Sequence, residues 1–368
     1  MASGFGETLR VSIFGESHGT AIGALIDGLP AGEMIDEQEL LDFMQRRQGG
    51  RNNISTQRKE PDLPRFLSGV TDGRTNGFPL CIEIENTNTR SGDYNNLADS
   101  PRPSHADFTA YVKWHGQADL RGGGHFSGRL TAPLCAAGGI AKQVLARRGI
   151  YVGAHISSIG TVKDLDFPML PKASQFADIA QKHLPVIDDG AGERMIQEIL
   201  AARDAQDSVG GTVECAVIGL PAGLGSPMFD GIENRMARAI FGIPAVKALE
   251  FGGGFSLSEM RGSQANDPFC IDENGEVATK SNHSGGIQGG ITNGMPVRFR
   301  VGFKPTPSIS QKQQTVSLSD RTETELEIRG RHDPCIVQRA VPVVEAVAAL
   351  VVLDVLLTEG DAVLKNGI

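Results

Sequence analysis

The sequence has few aromatic residues and no surplus of positive charge. Its 368 residues include one Trp and three Tyr, and 44 acidic against 35 basic side chains give a net charge of −9. Such a chain lacks the basic stripe that nucleic-acid backbones require, so no nucleic-acid partner is expected. Its arginines are clustered instead, which favours capture of a small anion. The clusters are Arg46, Arg47 and Arg51, then Arg121 and Arg129, then Arg329 and Arg331.

Paired cysteines and membrane signals are missing as well. The five cysteines are scattered, odd in number and never spaced as C-x-x-C, which indicates reduced thiols and a cytoplasmic protein. Residues 1–10 do not resemble a signal peptide. The most apolar run, 340–357, is interrupted by Pro342, Glu345 and Asp354. It therefore predicts a helix of the core or of a subunit interface, and no membrane contact is expected.

Common nucleotide and metal signatures are also absent. The chain has no Walker A loop, no G-x-G-x-x-G fingerprint and no H-E-x-x-H. A plain nucleotidase, a Rossmann dehydrogenase and a zinc hydrolase are therefore not expected. We expect no bound metal and no serine-hydrolase nucleophile elbow either.

Three segments of the first half recur in the same order in the second half. Ordered repetition of this kind predicts an internal duplication. The halves would span roughly 1–150 and 205–360 within a single catalytic domain, 1–368. The matched pairs are 28–32 with 219–223, 75–79 with 292–296, and Gly128-Arg129 with Gly330-Arg331.

Local patterns predict similar elements in the two halves. Strands are expected at 24–26 and 79–85, and again at 216–218 and 296–303. A helix should begin at Asp36, with Glu39 placed for a capping box. Two further helices are expected at 130–149, where Gly138 and Gly139 predict close packing, and at 188–208. Because no Pro- or Ser-rich linker separates the halves, we expect one unit whose sheets enclose the apolar helices.

Glycines adjoin titratable side chains in three segments, 15–19, 122–129 and 330–334. Glycine lets the backbone approach a ligand closely and leaves neighbouring N–H groups free to donate. Histidine, aspartate and serine beside glycine and arginine suit proton transfer around a phosphorylated carboxylate. The three segments together predict a site for a polyanionic small molecule.

These residues place the chain close to a known family, because over nearly its whole length it resembles chorismate synthase. The resemblance implies an α+β fold, a β-α-β sandwich built from two pseudo-symmetric halves that enclose core helices, assembled as a homotetramer. The motifs that carry it are 14–19 with Asp27-Gly28, 56–58, 84–87, 102–107, 121–129, 219–225, 261–264, 281–290, 304–306 and 330–335.

The resemblance also implies a carbon-oxygen lyase of the shikimate pathway and of aromatic amino-acid biosynthesis. Its substrate would be 5-enolpyruvylshikimate-3-phosphate, converted by anti-1,4-elimination into chorismate and phosphate. The cofactor would be reduced FMN, with no net redox change. NADPH would be needed only if the protein reduces its own flavin.

Site residues follow from the same resemblance. It implies that His18 lies beside the reduced flavin, that His105 delivers a proton to the departing phosphate, and that Asp333 helps to receive the C6 proton. Ser17 and Ser127 would assist these transfers. The implied substrate-binding residues are Arg47, Arg102, Arg129 and Arg331. Arg51 is expected to bind substrate too, in place of the arginine that many members carry at the position of Asn53. The implied flavin-binding residues are His125, Phe126, Ser127, Ala245, Gly289, Lys304, Pro305, Thr306, Pro307, Ser308 and Arg331.

Three positions depart from the family pattern. His125-Phe126 stands where many members have Arg-Ser, Ser104 replaces a frequent glycine, and Asn53 stands where an arginine is common. Asp333 also has an alternative role, as the N-cap of the helix after Pro334. The repeat suggests that Arg129 and Arg331 are copies of one anion-binding helix start.

Two other functions remain open at this point. One is a flavin-dependent oxidoreductase or NAD(P)H:FMN reductase, against which the arginines around His105 argue. The other is a non-enzymatic sensor of a phosphorylated metabolite. A sensor would explain the arginines, but not the combination of His18, His105 and Asp333.

Overall fold

Two antiparallel sheets form the outer layers of the protein. The computed structural model describes residues 3–50, 54, 60–87, 99–328 and 333–365. The strands of the first half are β1 (Gly4–Phe5), β2 (Arg10–Gly15), β3 (Ala21–Asp27), β4 (Arg65–Ser68), β5 (Val70–Thr71), β6 (Arg74–Thr75) and β7 (Leu80–Glu85). The first sheet has the order β1-β2-β3-β7-β4, and β5 pairs with β6.

The second sheet has an equivalent arrangement. The remaining strands are β8 (Tyr151–Ile159), β9 (Val162–Lys163), β10 (Gly211–Ile218), β11 (Val246–Phe251), β12 (Phe269–Ile271), β13 (Val277–Thr279), β14 (Ile287–Gln288), β15 (Ile291–Thr292), β16 (Val297–Phe303), β17 (Gln313–Ser317) and β18 (Thr322–Leu326). Two of them, β8 and β9, precede the predicted second half. The sheet order is β11-β16-β10-β8-β9, and β12-β13, β14-β15 and β17-β18 are separate pairs.

Two of the eight α-helices in the described part of the chain, Thr131–Ala146 and Val337–Lys365, lie between the sheets. The eight are α1 (Glu37–Gln45), α2 (Asp107–Lys113), α3 (Thr131–Ala146), α4 (Ala173–Gln181), α5 (Asp189–Asp204), α6 (Ile232–Ile240), α7 (Gly262–Ala265) and α8 (Val337–Lys365). Helix α3 packs against β2, β3 and β7, α8 packs against β8 and β10, and the two helices pack on each other. A Cβ at Gly138 of α3 would lie 2.3 Å from the Cβ of Ala346 in α8, so this close crossing requires glycine. The predicted α+β sandwich with enclosed core helices is confirmed.

Helix α8 is long and apolar enough to cross a membrane by length and composition, but it lies in the core. Its candidate span, Val337–Gly360, has a mean hydropathy of 2.4 and is 89% buried. Two acidic side chains that interrupt its sequence bind the first half of the chain. Glu345 accepts hydrogen bonds from Arg46 and Lys142, and Asp354 accepts backbone N–H groups of residues 7–9. The prediction of a core helix is confirmed.

The predicted helix start at Asp36 holds, but the capping box with Glu39 does not form, because the backbone N–H of Asp36 donates to Gln143 at 2.9 Å. Asp36 caps α1 and accepts a hydrogen bond from the backbone N of Glu39 at 3.0 Å. Asp188 caps α5 in the same way. All five cysteines are free thiols, and three of them are buried.

The repeated segments occupy matching places in the two halves. In the first half, the N–H of Gly32 donates to the carbonyl of Thr75 at 2.7 Å, and the Thr75 hydroxyl donates to the carbonyl of Pro30 at 2.6 Å. In the second half, Gly223 and the Thr292 hydroxyl make the same two bonds at 2.8 and 2.7 Å, the latter to Pro221. The internal duplication remains a prediction, and these matched bonds support it.

Candidate active site

Three consecutive glycines lie between the two histidines predicted to be catalytic, His18 and His105. Gly122, Gly123 and Gly124 all have positive φ angles, of 61°, 89° and 52°. A Cβ at Gly122 would lie 2.2 Å from Nδ1 of His18, and one at Gly123 would lie 3.4 Å from Nε2 of His105. The glycine turn, residues 122–124, therefore separates the two imidazole rings and has room for no side chain on the His18 side.

The segment 15–19 is held against this turn. It has the spacing G-x-S-x-G, but it joins β2 to β3, whereas a nucleophile elbow joins a strand to a helix. The N–H of Ser17 donates to the carbonyl of Gly124 at 3.1 Å, and the Ser17 side chain is fully buried. Among the described residues, the Ser17 hydroxyl has no hydrogen-bond partner. It is therefore placed to bond to a ligand.

Substituting Gly122 by Ala should disturb this arrangement. The added Cβ collides with His18, and the positive φ adds strain of about 1–3 kcal/mol. We expect turnover to fall by at least about tenfold, since displacements near 1 Å cost about that much or more. Gly128→Ala is the matched control, because nothing lies within 4 Å of its added Cβ. Equal activity of the two variants in a steady-state assay would show that His18 is not needed where it lies.

His105 is held by a carboxylate that is itself buried against an arginine. Nδ1 of His105 lies 2.6 Å from Oδ1 of Asp107. Arg102 donates to both oxygens of Asp107, from Nε at 2.7 Å and from Nη2 at 2.8 Å. Arg102 and Asp107 are only 6% and 4% exposed, so this pair lies in the protein interior.

The contacts of His105 define where its proton sits. Nδ1 also lies 3.1 Å from Nη2 of Arg102, but its contact with Asp107 is the shorter one, and because a carboxylate can only accept, Nδ1 donates a hydrogen to Asp107. Burial acts to raise the pKa of Asp107, but hydrogen bonds from Arg102 and His105 hold that pKa well below its ordinary value. Asp107 is therefore ionised. Nε2, on the side of the glycine turn, is the nitrogen that can give up or take a proton.

The predicted flavin segment, residues 304–308, is bound to the same loop. Lys304 donates from Nζ to the carbonyl of Ser104 at 2.9 Å, and Arg102 donates from Nη1 to the hydroxyl of Ser308 at 3.3 Å. The backbone N–H of Lys304 donates to the carbonyl of Ala245 at 3.0 Å. Ser104 has a φ of 59°, which gives a physical reason for the glycine of many relatives. These predicted flavin positions thus adjoin His105.

The surroundings of this segment suit an anionic, oxygen-rich ligand. The Thr306 hydroxyl is buried and has no hydrogen-bond partner among the described residues. A cavity of about 520 Å³ lies alongside and is lined by Lys304, Pro305 and Lys247, among others. Burial and the charge of Lys247 both lower the pKa of Lys304. An anion in this cavity would offset the repulsion between the two lysines.

The remaining predicted flavin positions differ in their placement. His125 donates from Nδ1 to the carbonyl of Gly15 at 2.8 Å, and its Nε2 lies 2.8 Å from the hydroxyl of Ser3. Phe126 packs on Trp114, with ring centroids 5.8 Å apart. Gly289 lies in the turn between β14 and β15, and among the described residues no hydrogen bond joins it to the other flavin positions. Pro307 belongs to the 304–308 segment, and its carbonyl accepts a hydrogen bond from the Gln313 side chain.

Two predicted substrate arginines meet at one buried aspartate. Arg47 donates to Oδ2 of Asp62 at 2.9 Å, and Arg129 donates to Oδ1 of the same carboxylate. Burial acts to raise the pKa of Asp62, but Arg47 and Arg129 outweigh it and lower that pKa. Burial, opposed by Asp62, lowers the pKa of Arg47, and the charges of Arg339 and Arg129 add to the lowering. An anion placed between the guanidinium groups would relieve this crowding of positive charge.

This arginine pair is tied to the glycine turn. The Ser127 hydroxyl accepts from the backbone N of Arg129 at 3.3 Å, and Arg47 donates to the carbonyl of Gly128 at 3.3 Å. Ser127 thus caps the turn that leads into α3. Among the described residues, the segment 122–129 thus adjoins the predicted histidines, the predicted serines and the Arg47–Arg129 pair.

Asp333 lies beside the arginine pair, not at a helix cap. Arg339 donates from Nη1 to Oδ2 of Asp333 at 2.5 Å and from Nε to the carbonyl of Arg47 at 2.9 Å. Helix α8 begins at Val337, so the alternative role of Asp333 as its N-cap is wrong. Two predicted substrate residues, Arg51 and Arg331, lie outside the described residues, as does Asn53.

A second cavity, of about 710 Å³, lies between α1, α3 and the start of α8. It is larger than the cavity beside Lys304, but none of the predicted site residues lines it. It meets the arginine pair only through Arg339. The residue types and their hydrogen bonds therefore indicate the glycine turn as the candidate site, although the larger cavity lies elsewhere.

The sequence pattern did not reveal three residues of this site. Asp107 and Asn86 lie inside motifs that carried the family resemblance, and the Asn86 amide oxygen accepts from Nε of Arg129 at 2.9 Å. Those motifs were a signal that could have found them. Asp62 offers no such signal, because it is a single aspartate whose importance depends on two arginines distant in sequence.

Comparisons with known proteins indicate one family. A sequence model described as chorismate synthase matches residues 9–357. The chorismate synthase of Thermococcus gammatolerans is 49% identical over 352 residues, covering 96% of this chain and 97% of that protein. The enzyme of the same name from Lancefieldella parvula is 44% identical, covering 97% and 96%. A crystal structure of a chorismate synthase superposes with a TM-score of 0.76 at 30% identity, covering 96% of this chain and 93% of that one.

Proposed function

The chain belongs to the chorismate synthase family, whose members are lyases, and we propose that it converts 5-enolpyruvylshikimate-3-phosphate into chorismate and phosphate with reduced FMN. The observation that carries the proposal is the glycine turn, which separates His18 from His105 and leads directly into the arginine pair. A substrate with one phosphate and two carboxylates needs several arginine forks and an acid beside its leaving group. Arg47, Arg129 and His105, which lie around this turn, would supply both.

The residues present fit the flavin. The buried Thr306 hydroxyl without a partner and the two lysines at the adjoining cavity would bind phosphate and ribityl oxygens. The residues that would hold the flavin are His125, Phe126, Ser127, Ala245, Gly289, Lys304, Pro305, Thr306, Pro307, Ser308 and Arg331. When bound, reduced FMN supplies electron density to the developing allylic system and helps to remove the C6 proton.

The chain's own residues have separate tasks in the elimination. Arg47 and Arg129, with Arg51, Arg102 and Arg331, would bind the phosphate and carboxylates. The C3–O bond breaks with its electron pair leaving on phosphate, and the electrons of the C6–H bond complete the new diene. His105 would give a proton from Nε2 to the departing phosphate. Asp333 would take up the proton lost from C6, so charge and atoms balance.

Ser17 and His18 would act on the opposite side of the glycine turn. The unpartnered Ser17 hydroxyl can donate to a ligand, and a protonated His18 would offset negative charge on the reduced flavin. We also place the protein in the cytoplasm. NADPH would be required only if the chain reduces its own flavin.

An anaerobic assay tests this function against the alternatives. With reduced FMN and 5-enolpyruvylshikimate-3-phosphate, the protein should release phosphate and chorismate in equal amounts. A reductase would instead consume NADPH without substrate and form no chorismate. A sensor would bind the substrate and leave it unchanged.

The protein should assemble as a homotetramer. Large apolar side chains are exposed on both halves, including Phe78, Met228, Phe229 and Phe255, which are 74% to 86% exposed. Burying such side chains between subunits is favourable. Sedimentation equilibrium at micromolar concentration should therefore give four times the 39.1 kDa mass of the chain. A mass near one chain would rule out this assembly.

A further inference from the structure

We infer that Asp107 is a positioning residue for the elimination, one that holds His105 in the Nδ1–H form with Nε2 directed to the glycine turn. The inference rests on the proposed function, because it assigns the group through which His105 acts. It starts from the 2.6 Å contact between Nδ1 and Asp107 Oδ1.

Asp107 is fixed more firmly than a carboxylate beside a surface histidine would be. It accepts two hydrogen bonds from the Arg102 side chain and a third from the Arg102 backbone N–H at 3.0 Å. It also begins helix α2, where the helix dipole favours a negative charge. The aspartate therefore cannot turn away from His105 without breaking a buried ion pair.

This arrangement leaves Nε2 as the only nitrogen of His105 that exchanges a proton. Nδ1 faces an ionised acceptor, so its hydrogen stays there, and the exchangeable position is Nε2. Nε2 is also the atom that would lie nearest to a Cβ at Gly123, at 3.4 Å. Asp107 thus sets both the tautomer and the direction of the ring.

Arg102 links this positioning to the predicted flavin segment. Its Nη1 donates to the Ser308 hydroxyl, which is 6% exposed, while Nε and Nη2 hold Asp107. Three of its five N–H groups are therefore committed within the protein. Occupation of the 304–308 segment would stabilise Arg102, and through Asp107 the orientation of His105.

Asp107→Asn tests the inference in the full-length protein with reduced FMN. We expect kcat to fall about 10- to 100-fold, as for other partners that orient a functional imidazole. Affinity for FMN should stay within about threefold of wild type, and kcat is the parameter compared, because Arg102, a proposed substrate arginine, loses its charged partner in this variant. Asp230→Asn is the matched control, because Asp230 also accepts two bonds from one arginine, Arg235, in the other half.

The pH profile adds a readout that a purely structural role would not move. If protonated His105 is the donor, activity is lost as pH rises. Removing the carboxylate charge destabilises the imidazolium, so this limb should move to lower pH. The nearest other charged groups are Arg102, whose ion pair with Asp107 the variant also removes, and Lys304, which bonds to Ser104 and is unchanged. Asp107→Glu keeps the charge but displaces the oxygen, so it should lower kcat without moving the limb.

The decisive comparison uses the His105→Ala background. A residue that acts through His105 should have no further effect there, so Asp107→Asn should change the residual rate by less than about twofold. An equal loss in both backgrounds, or unchanged kcat in folded Asp107→Asn, would overturn the inference. If Asp107→Asn fails to fold, an unchanged kcat in Asp107→Glu would overturn it. No chorismate from the wild type would instead overturn the proposed function.

Discussion

Replacing His105 by Ala should slow turnover by about two to four decades and leave flavin binding intact. A positioned acid typically contributes this much to a proton transfer. The structure adds a reason why no neighbour substitutes for it. Nε2 faces the glycine turn, whereas Asp107 is ionised and Arg102 does not release a proton. The measurement is anaerobic chorismate formation with reduced FMN, together with an FMN titration.

A control separates this loss from a general effect of losing histidine. His183 is exposed and lies outside the site, so His183→Ala should retain the wild-type rate. Near-normal turnover in His105→Ala, or loss of FMN binding along with turnover, would show that His105 does not have the assigned role.

Replacing Arg129 by Lys should weaken substrate binding by about 2–4 kcal/mol, which is roughly a 30- to 1000-fold rise in Kd. Lysine keeps the charge opposite Asp62 and so avoids leaving that buried carboxylate without a second cation. It loses the planar fork that binds phosphate or carboxylate with two bonds. Substrate should be titrated in the presence of oxidised FMN, where no turnover is expected.

Arg46, which precedes Arg47 at the end of α1, provides a matched control. Arg46 binds Glu345 in the core, whereas Arg47 binds Asp62. Arg46→Lys should therefore reduce thermal stability and leave substrate affinity unchanged, while Arg47→Lys should weaken binding as Arg129→Lys does. Unchanged affinity in both Arg47→Lys and Arg129→Lys would show that the anion pocket lies elsewhere.

Features that depend on nearby residues were predictable from the sequence. Asp36, as an N-cap residue, predicted the start of α1. The apolar and partly alternating residues beside the repeated turns predicted β3, β7, β10 and β16. The composition of α8 also predicted that it does not cross a membrane, because Glu345 and Asp354 would be too costly to bury in lipid without partners. A helix of the core or of a subunit interface was therefore expected. The structure supplies those partners in Arg46, Lys142 and the backbone of residues 7–9.

Contacts between residues that are distant in sequence were not predictable in the same way. Asp62 matters because Arg47 and Arg129 approach it from distant segments, and no local pattern encodes that meeting. Asp333 was placed at a helix start because Pro334 follows it, yet α8 begins later and Asp333 binds Arg339 instead. Gly289 lies in a different family motif, 281–290, from Lys304, and motif membership does not specify which residues become neighbours within one chain.

The most direct test of the central claim is chorismate formation under anaerobic conditions with FMN in its two redox states, without NADPH. The elimination removes an unactivated C6 proton, a step that side-chain acids and bases alone accelerate by only about 10²–10⁴-fold. The account predicts rapid chorismate formation with chemically reduced FMN and essentially none with oxidised FMN. Full activity with oxidised FMN and no reductant would contradict it.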